Sequence, residues 1–338
     1  MKTKEHADLK PFNTFRLDGV ARYMADIATE EDIAEAYEFA KAHGVPIVVL
    51  GGGSNVIFKG GDLEVLVARV VIPGISIVGE TEEHADVFIG AGENWDGVVE
   101  WAVSHNLSGV EAMSGIPGTA GATPIQNVGA YGQEIKDTLV SLRAYDTADG
   151  KFKKFSNKEC ELSYRDSIFR RERGRYVISG ITLRLSKLSP GVPSYPGVNK
   201  QLSKSGIKNP GLKEIREIII KIRASNLPDP RVVASVGCFF KNPFVSKKHL
   251  ETIKEKYPNI VAYPAGEDRY KLAAGWMVEE LGFRGKEFGN LACHSGNSLV
   301  IVNKGGATHK ELKVLVAHII ERVEEAFSVT LEMEPIEI

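Results

Sequence analysis

The chain is short of several things that would narrow its class at once. It has three cysteines in 338 residues, Cys160, Cys238 and Cys293; they are odd in number and form no CxxC pair. That argues against a disulfide framework and a structural zinc site, so no metal is expected, and it fits a reducing compartment. No apolar run approaches the roughly 20 residues that cross a bilayer. The opening residues, Met1-Lys2-Thr3-Lys4-Glu5-His6-Ala7-Asp8, lack the apolar centre of a secretory signal. The expectation is a soluble, cytoplasmic protein with no membrane partner. Charge of one sign is missing too. Forty-two Lys and Arg against 44 Asp and Glu leave a net charge of −2, which excludes a globally basic nucleic-acid binder but not a local basic pocket. There is no internal repeat and no low-complexity tract.

The remaining composition, 43% hydrophobic and 25% charged, is that of an ordinary globular chain. At roughly 100–200 residues per domain it predicts two or three domains, with ample burial and no need of staples. Glycine alone is in surplus. Of 34 glycines, 19 lie in residues 1–150, and 16 of those fall between Gly51 and Gly132. Glycine serves where φ must be positive or where a backbone or ligand comes close, so this stretch is marked for function.

Local patterns predict a helix over 29–44, capped by Thr29 with Asp32 three residues on, carrying Ile33, Tyr37 and Ala40 on one face and ended by Gly44. Pro46 opens a buried strand, Ile47-Val48-Val49-Leu50. Further strands are predicted at 65–70, 87–89, 139–145 and 176–185, with a short helix presenting Trp95, Val98, Val99 and Ala102. This is a β-rich α+β pattern without the regular βαβ alternation of a doubly wound sheet. Residues 188–212, with Pro190, Pro193 and Pro196, read as a linker or a long functional loop. Helices follow over 212–224, 246–256, 271–281 and 308–327, the last with a Thr308/Glu311 capping box and Leu312, Leu315, Ile319, Val323 and Phe327 along one side. Strands at 298–302 and 329–334 complete a second α+β unit.

Five segments carry candidate chemistry. Gly51-Gly52-Gly53-Ser54-Asn55 reads either as an anion nest suited to a pyrophosphate or as a tight turn; it is not GxGxxG and no helix follows, against a Rossmann site. The run from Ser114-Gly115-Ile116-Pro117-Gly118-Thr119-Ala120-Gly121 to Gln126-Asn127-Val128-Gly129-Ala130-Tyr131-Gly132 holds five glycines and two prolines in 19 residues, a costly loop that suits a second phosphate or ring cradle. In Ser163-Tyr164-Arg165-Asp166-Ser167, Arg165 is either a carboxylate clamp or a surface ion pair. In Val236-Gly237-Cys238-Phe239-Phe240-Lys241-Asn242-Pro243, Cys238 is either an inert apolar filler or, with Lys241 and Asn242, part of an anion or sugar site. Alternation in Leu331-Glu332-Met333-Glu334-Pro335 puts Glu332 and Glu334 on one face, by default a solvated one. Unaided, these residues describe a nucleotide-cofactor protein and name no reaction.

These segments, in this order, resemble the UDP-N-acetylenolpyruvoylglucosamine reductases (MurB), and the likeness covers nearly the whole chain. It runs from Asn13-Thr14-Phe15-Arg16 through GGGSN, SGIPGTAG, IQNVGAYG, SYRDSIF, LPDP, GCFFKNP, AAGWMVEELGFRG and NSLVIVN to LEMEP. GGGSN and the IPG loop are shared with the wider vanillyl-alcohol-oxidase (PCMH-type) FAD-binding domains, whereas FFKNP and AAGW are more specific.

The resemblance implies an α+β fold with a two-lobed FAD-binding domain over 1–187 (lobes about 1–72 and 73–187), then a C-terminal α+β substrate-binding domain over 188–338. It implies noncovalent FAD, NADPH as hydride donor, and reduction of the enolpyruvyl ether of UDP-N-acetylglucosamine to UDP-N-acetylmuramate. That is a step of peptidoglycan synthesis, serving cell-wall biogenesis, cell shape and division; a monomer is expected. By position, Gly51, Gly52, Gly53, Ser54, Asn55, Ser114, Gly115, Ile116, Pro117, Gly118, Gly121, Ala122, Gln126, Asn127, Gly129, Ala130 and Tyr131 would hold FAD. Arg165 matches the family's carboxylate-binding Arg, Glu334 its catalytic Glu, and Tyr195 the mobile-loop Tyr of the longer type. Asn242, Arg284 and Asn297 match contacts to the UDP part. The chain departs from the family twice. Cys238 stands where the proton donor is often Ser, and a free thiol, with a pKa of about 8.5, is much the better acid. Asn226 stands where some members carry a phosphate-binding Lys, for which Arg223 is the candidate replacement.

Overall fold

The strongest local signals form the elements expected of them in the computed structural model, which describes residues 1–190, 195–207 and 209–338. The helix Glu30–His43 has the Thr29/Asp32 capping box complete in both directions and stops at Gly44, whose φ of +66° suits a residue without Cβ. Its buried face is Ile33, Ala36 and Ala40. The described residues divide into two units, each with its own core. The first comprises residues 1–7, 20–53 and 62–224; the second comprises 8–19, 54–61 and 225–338.

The first unit holds two main sheets. One has the strand order Thr3–Asp8, Val20–Ile27, Asp62–Val70, Ile47–Leu50. Val20–Ile27 and Ile47–Leu50 both run parallel to Asp62–Val70, with the Glu30–His43 helix as the crossover, so there is one βαβ unit rather than a repeating series. The other sheet has the order Lys151–Ser156, Leu139–Asp146, Tyr176–Ser186, His84–Gly90, Ile75–Glu80, with every pairing antiparallel. Leu66, Ile89, Trp95, Leu142 and Ile181 belong to one continuous core. The helix Trp95–Ser104 buries the predicted face of Trp95, Val98, Val99 and Ala102.

The segment read as a loop over 188–212 contains a helix, Pro196–Lys204. Pro193 and Ser194 lie outside the described residues. Val198 and Leu202 of that helix pack with Ala112 and with Ile215, Ile218 and Ile219 of the helix Leu212–Asn226. This shared apolar cluster is the physical reason that residues up to Ala224 group with the first unit, whereas the change in composition suggested a boundary at 187.

The second unit holds an antiparallel sheet of order Ala234–Cys238, Val300–Asn303, Leu291–Cys293, Glu287–Phe288. A smaller one has the order Phe244–Ser246, Arg269–Leu272, Ala262–Pro264. The long helix His309–Phe327 carries the expected capping box and buries the expected side. Two expectations are corrected. Residues 269–272 are a strand, because Lys271 pairs with Phe244, and the helix is confined to Ala274–Glu280. Residues 329–334 are not a strand: one bridge joins Met333 to Phe240, and regular pairing begins only at Ile336–Glu337, parallel to Val56–Ile57. With no continuous ladder the alternation fails, so Glu332 is exposed while Glu334 is buried.

Asp146, fully buried at the end of its strand, anchors the antiparallel sheet to its connections. It accepts from Lys153 Nζ at 2.7 Å, Ala148 N at 3.0 Å and Arg175 Nη2 at 3.2 Å. Burial works to raise its pKa, but these donors prevail and take it from the ordinary 3.8 down to about 2. A carboxyl depressed in the folded state stabilises fully above its unfolded value and loses that contribution as pH falls through the folded one. Asp146→Asn is therefore expected to lower the melting temperature at pH 7 and to flatten its fall between pH 3.8 and about 2, as read by thermal melts across that range.

Candidate active site

Glycine shapes the first unit's candidate cofactor surface. A Cβ on Gly52 would stand 2.8 Å from Gly118 Cα, and one on Gly51 would stand 2.6 Å from Thr119 Oγ1. The turn after the Ile47–Leu50 strand and the 114–122 loop thus touch backbone to backbone. Gly118 and Gly115 have φ of +122° and +72°, conformations that other residues rarely adopt. The 114–122 loop is fastened to the segment before the Trp95–Ser104 helix. Gly121 N donates to Ala91 O, Ala120 N to Glu93 O, and Trp95 N to Gly118 O. Trp95 Nε1 reaches Met113 O, and Gly115 N donates to Asp96 Oδ1 at 2.6 Å. A glycine-rich cradle of this kind fits a dinucleotide such as FAD, whose pyrophosphate suits close approach of main-chain N–H groups.

Polar side chains of the 114–132 loop bond to the segments around it. Buried Asn127, in the left-handed conformation, donates to Glu134 and to Ser163 O and accepts from Lys136 N. Gln126 accepts from Arg170 at 2.9 Å, and Ser114 donates to Glu111 O at 2.6 Å. These three residues brace the loop. Ser167, unremarked in the sequence, donates to Ile125 O and caps the short helix Ile168–Arg171. It thereby ties the SYRDS turn to the loop. In that turn Ser163 and Asp166 exchange main-chain bonds, and Arg165 is half-buried with φ of +53° and its guanidinium 5.4 Å from the Tyr164 ring. Tyr195 opens the Pro196–Lys204 helix, and its ring meets that of Tyr131 edge-on at 5.1 Å. Arg223 donates to Gly115 O at 3.1 Å.

The second unit holds the other candidates. Its strand Ala234–Cys238 loses register with Val300–Asn303 between Ser235 and Cys238, where Gly237 has φ of +77°. A bulge of this sort re-aims the residue that follows it. Cys238 is half-buried, whereas Cys160 and Cys293 are buried; burial pushes their thiols up to about 12 and about 11, which leaves them inert. The residues after Cys238 pair with the chain's tail: Lys241 N donates to Glu332 O, and Glu334 N to Phe239 O at 2.9 Å. Cys238 and Glu334, far apart in sequence, thus lie on bonded neighbouring strands of chain. Asn55 holds the same tail, donating to Glu334 O at 3.4 Å and accepting from Ile336 N at 3.0 Å. No local sequence signal reveals this second task of the GGGSN motif. Asn242 Oδ1 accepts from Ala274 N and orients the AAGW helix, Arg284 bonds Ser295 O and Glu279, and Asn297 Oδ1 accepts from Leu299 N. Among the described residues no His, Cys, Asp and Glu group has metal-binding geometry, and no helix is long and apolar enough to cross a membrane.

Residues 21–156 match the FAD binding domain family, and residues 229–338 match the C-terminal domain of UDP-N-acetylenolpyruvoylglucosamine reductase. Together with the glycine cradle, the first match makes this an FAD-binding oxidoreductase. The chain is similar to the UDP-N-acetylenolpyruvoylglucosamine reductase of Pseudomonas aeruginosa, at 40% identity over 99% of this chain and 98% of that one. The reductase of Ralstonia nicotianae is 39% identical over 98% of each. The crystal structure of the Thermus caldophilus reductase superposes with a TM-score of 0.67 at 22% identity, covering 99% and 98% of the two chains, a likeness of fold. The chain belongs to the UDP-N-acetylenolpyruvoylglucosamine reductase family, FAD oxidoreductases that reduce an enolpyruvyl group in peptidoglycan synthesis.

The Gly52–Gly118 contact leaves no room for a methyl group. Gly52→Ala is expected to purify with substoichiometric flavin and to bind FAD about tenfold or more weakly, read by flavin absorbance per protein and by fluorescence on release. Gly79→Ala, whose Cβ meets nothing nearer than 3.6 Å, should keep its flavin.

Proposed function

We propose that the chain catalyses the NADPH-dependent, FAD-mediated reduction of UDP-N-acetylglucosamine enolpyruvate to UDP-N-acetylmuramate, as a cytoplasmic monomer with no nucleic-acid or membrane partner. The observation that carries the reading is the main-chain pairing that sets the Cys238 segment beside Glu334. The chemistry supplied by bound FAD is delivery of a hydride from N5 to the enolpyruvyl carbon beta to the carboxylate, with NADPH as its source.

Gly51–Asn55 and the 114–132 loop hold the cofactor, largely through main-chain N–H groups. Arg165 binds the substrate carboxylate, where its fixed positive charge stabilises the enolate that develops. Its turn is closed by the reciprocal main-chain bonds of Ser163 and Asp166, which fix its backbone. Glu334 near an enolate cannot serve as a bare negative charge. It acts by donating a hydrogen bond through its own proton or by orienting a water. Cys238 Sγ holds the proton that goes to the alpha carbon, and the Gly237 bulge sets its direction. Tyr195 closes over the nucleotide, as in the family's longer type, and Asn242, Arg284 and Asn297 contact its UDP part. Arg223 takes over part of the phosphate contact that a Lys at position 226 would make.

Cys238→Ala is expected to keep NADPH-driven flavin bleaching in stopped flow while product formation falls about a hundredfold or more; Cys238→Ser should retain much of the activity. Unimpaired turnover of the Ala variant would exclude Cys238 as the donor. NADPH oxidation that does not depend on the enolpyruvyl sugar would overturn the substrate reading itself.

A further inference from the structure

We infer that Asp96 is a positioning residue for the cofactor cradle, holding Gly115 in place by a shared hydrogen bond rather than serving as one half of a structural ion pair. The inference rests on the reading of the 114–122 loop as an FAD loop. Asp96 is the second residue of the Trp95–Ser104 helix. Its Oδ1 accepts from Gly115 N at 2.6 Å and from Arg216 Nη1 at 2.5 Å, and its Oδ2 accepts from Arg216 Nη2 at 3.1 Å. One carboxylate therefore serves a main-chain donor and a bidentate guanidinium together.

The other side of the Gly115 residue is gripped by the same helix that supplies Arg216. Arg223 Nε donates to Gly115 O at 3.1 Å, and Ile220 Cδ1 stands 2.8 Å from where a Gly115 Cβ would lie. Positions 216, 220 and 223 share one face of the Leu212–Asn226 helix at i, i+4 and i+7. Gly115 thus has both its N–H and its C=O bound by groups that this face holds, one directly and one through Asp96. An ion pair made for stability needs no third partner in the cofactor loop, yet this carboxylate has one. Arg216 has only 14% of its side chain exposed. Burial works against the charge on Asp96, but Arg216 and the Gly115 N–H hold its pKa below the ordinary range, so the acceptor stays ionised.

The same helix carries the Tyr195 segment. Pro196–Lys204 packs on it through Val198 and Leu202, and Tyr131 of the cofactor loop belongs to the same cluster. Asp96 is therefore tied, through this helix, to both the loop assigned to cofactor and the segment assigned to substrate.

The test separates the ion pair from the Gly115 bond. Asp96→Ala, Asp96→Asn and Arg216→Met all lose the charge pair, but Asn keeps an oxygen facing Gly115 N and Met leaves the carboxylate there intact. Flavin release from the diluted holoprotein, followed by its fluorescence, gives the FAD affinity, and thermal melts give stability. The expected result is about a tenfold or greater loss of FAD affinity in Asp96→Ala, a smaller loss in Asp96→Asn and near wild-type affinity in Arg216→Met, although all three melt at lower temperature. Equal FAD affinity in Asp96→Ala and Asp96→Asn overturns the inference. If the Ala variant does not fold, a loss in Arg216→Met as large as in Asp96→Asn overturns it instead. Failure of the wild-type chain to bind FAD at all would instead remove the reading on which the inference stands.

Discussion

The first unit's ligand surface depends on one steric constraint, the contact of two backbones at Gly52 and Gly118. Neither loop contains more than a single 3-10 turn of regular structure, so neither could hold that contact by itself. The first is launched from the Ile47–Leu50 strand, whose partner Asp62–Val70 is one of the two interior strands of its sheet. The second is bonded along residues 91–96, where main-chain groups of Ala91, Glu93 and Trp95 satisfy those of Gly118, Ala120 and Gly121. A buried main-chain group left unpaired is costly, so this pairing makes a non-repetitive loop as well determined as a strand.

Charges in this unit are placed where they fasten main chain. Asp146 and Asp96 each bind an Arg and a backbone N–H, and both are held ionised against the cost of burial. Exposed pairs such as Arg184 with Asp86 add little by comparison, because solvent screens them. What matters for chemistry is which carboxylates act on loops, and Asp96 acts on the 114–122 loop that is proposed to hold the cofactor.

The second unit solves a different problem, bringing a residue of its central sheet next to one from the chain's end. A bulge at Gly237 turns Cys238, and three separate attachments hold the tail: to Lys241, to Phe239 and to Asn55. The three cysteines are then sorted by burial alone. Two are sealed in cores where the thiolate is disfavoured, and the third is only half-buried.

Elements with complete local signals were legible in advance. The Thr29 and Thr308 capping boxes, the Gly44 stop, the Trp95 face and the run Ile47–Leu50 each state their conformation within a few residues, because capping and amphipathic burial act over one or two turns. The glycine surplus likewise fell within the span that matches the FAD binding domain, and the colinear motifs carried the family. Residues 196–204 were misread because their helix is justified by a cluster with Ala112 and Ile215 that no local pattern announces. The tail was misread because Glu334 is buried by pairing with Phe239, not by strand alternation. The chain's own order of residues determined the caps, the glycine positions and the residue types available for chemistry, since these depend on near neighbours and sterics. Only tertiary structure decided that Gly52 meets Gly118, that Asp96 reaches Gly115 and that Cys238 lies beside Glu334, since each contact joins residues well separated in sequence, the first and last across intervening sheet strands and the second around the end of the Trp95–Ser104 helix.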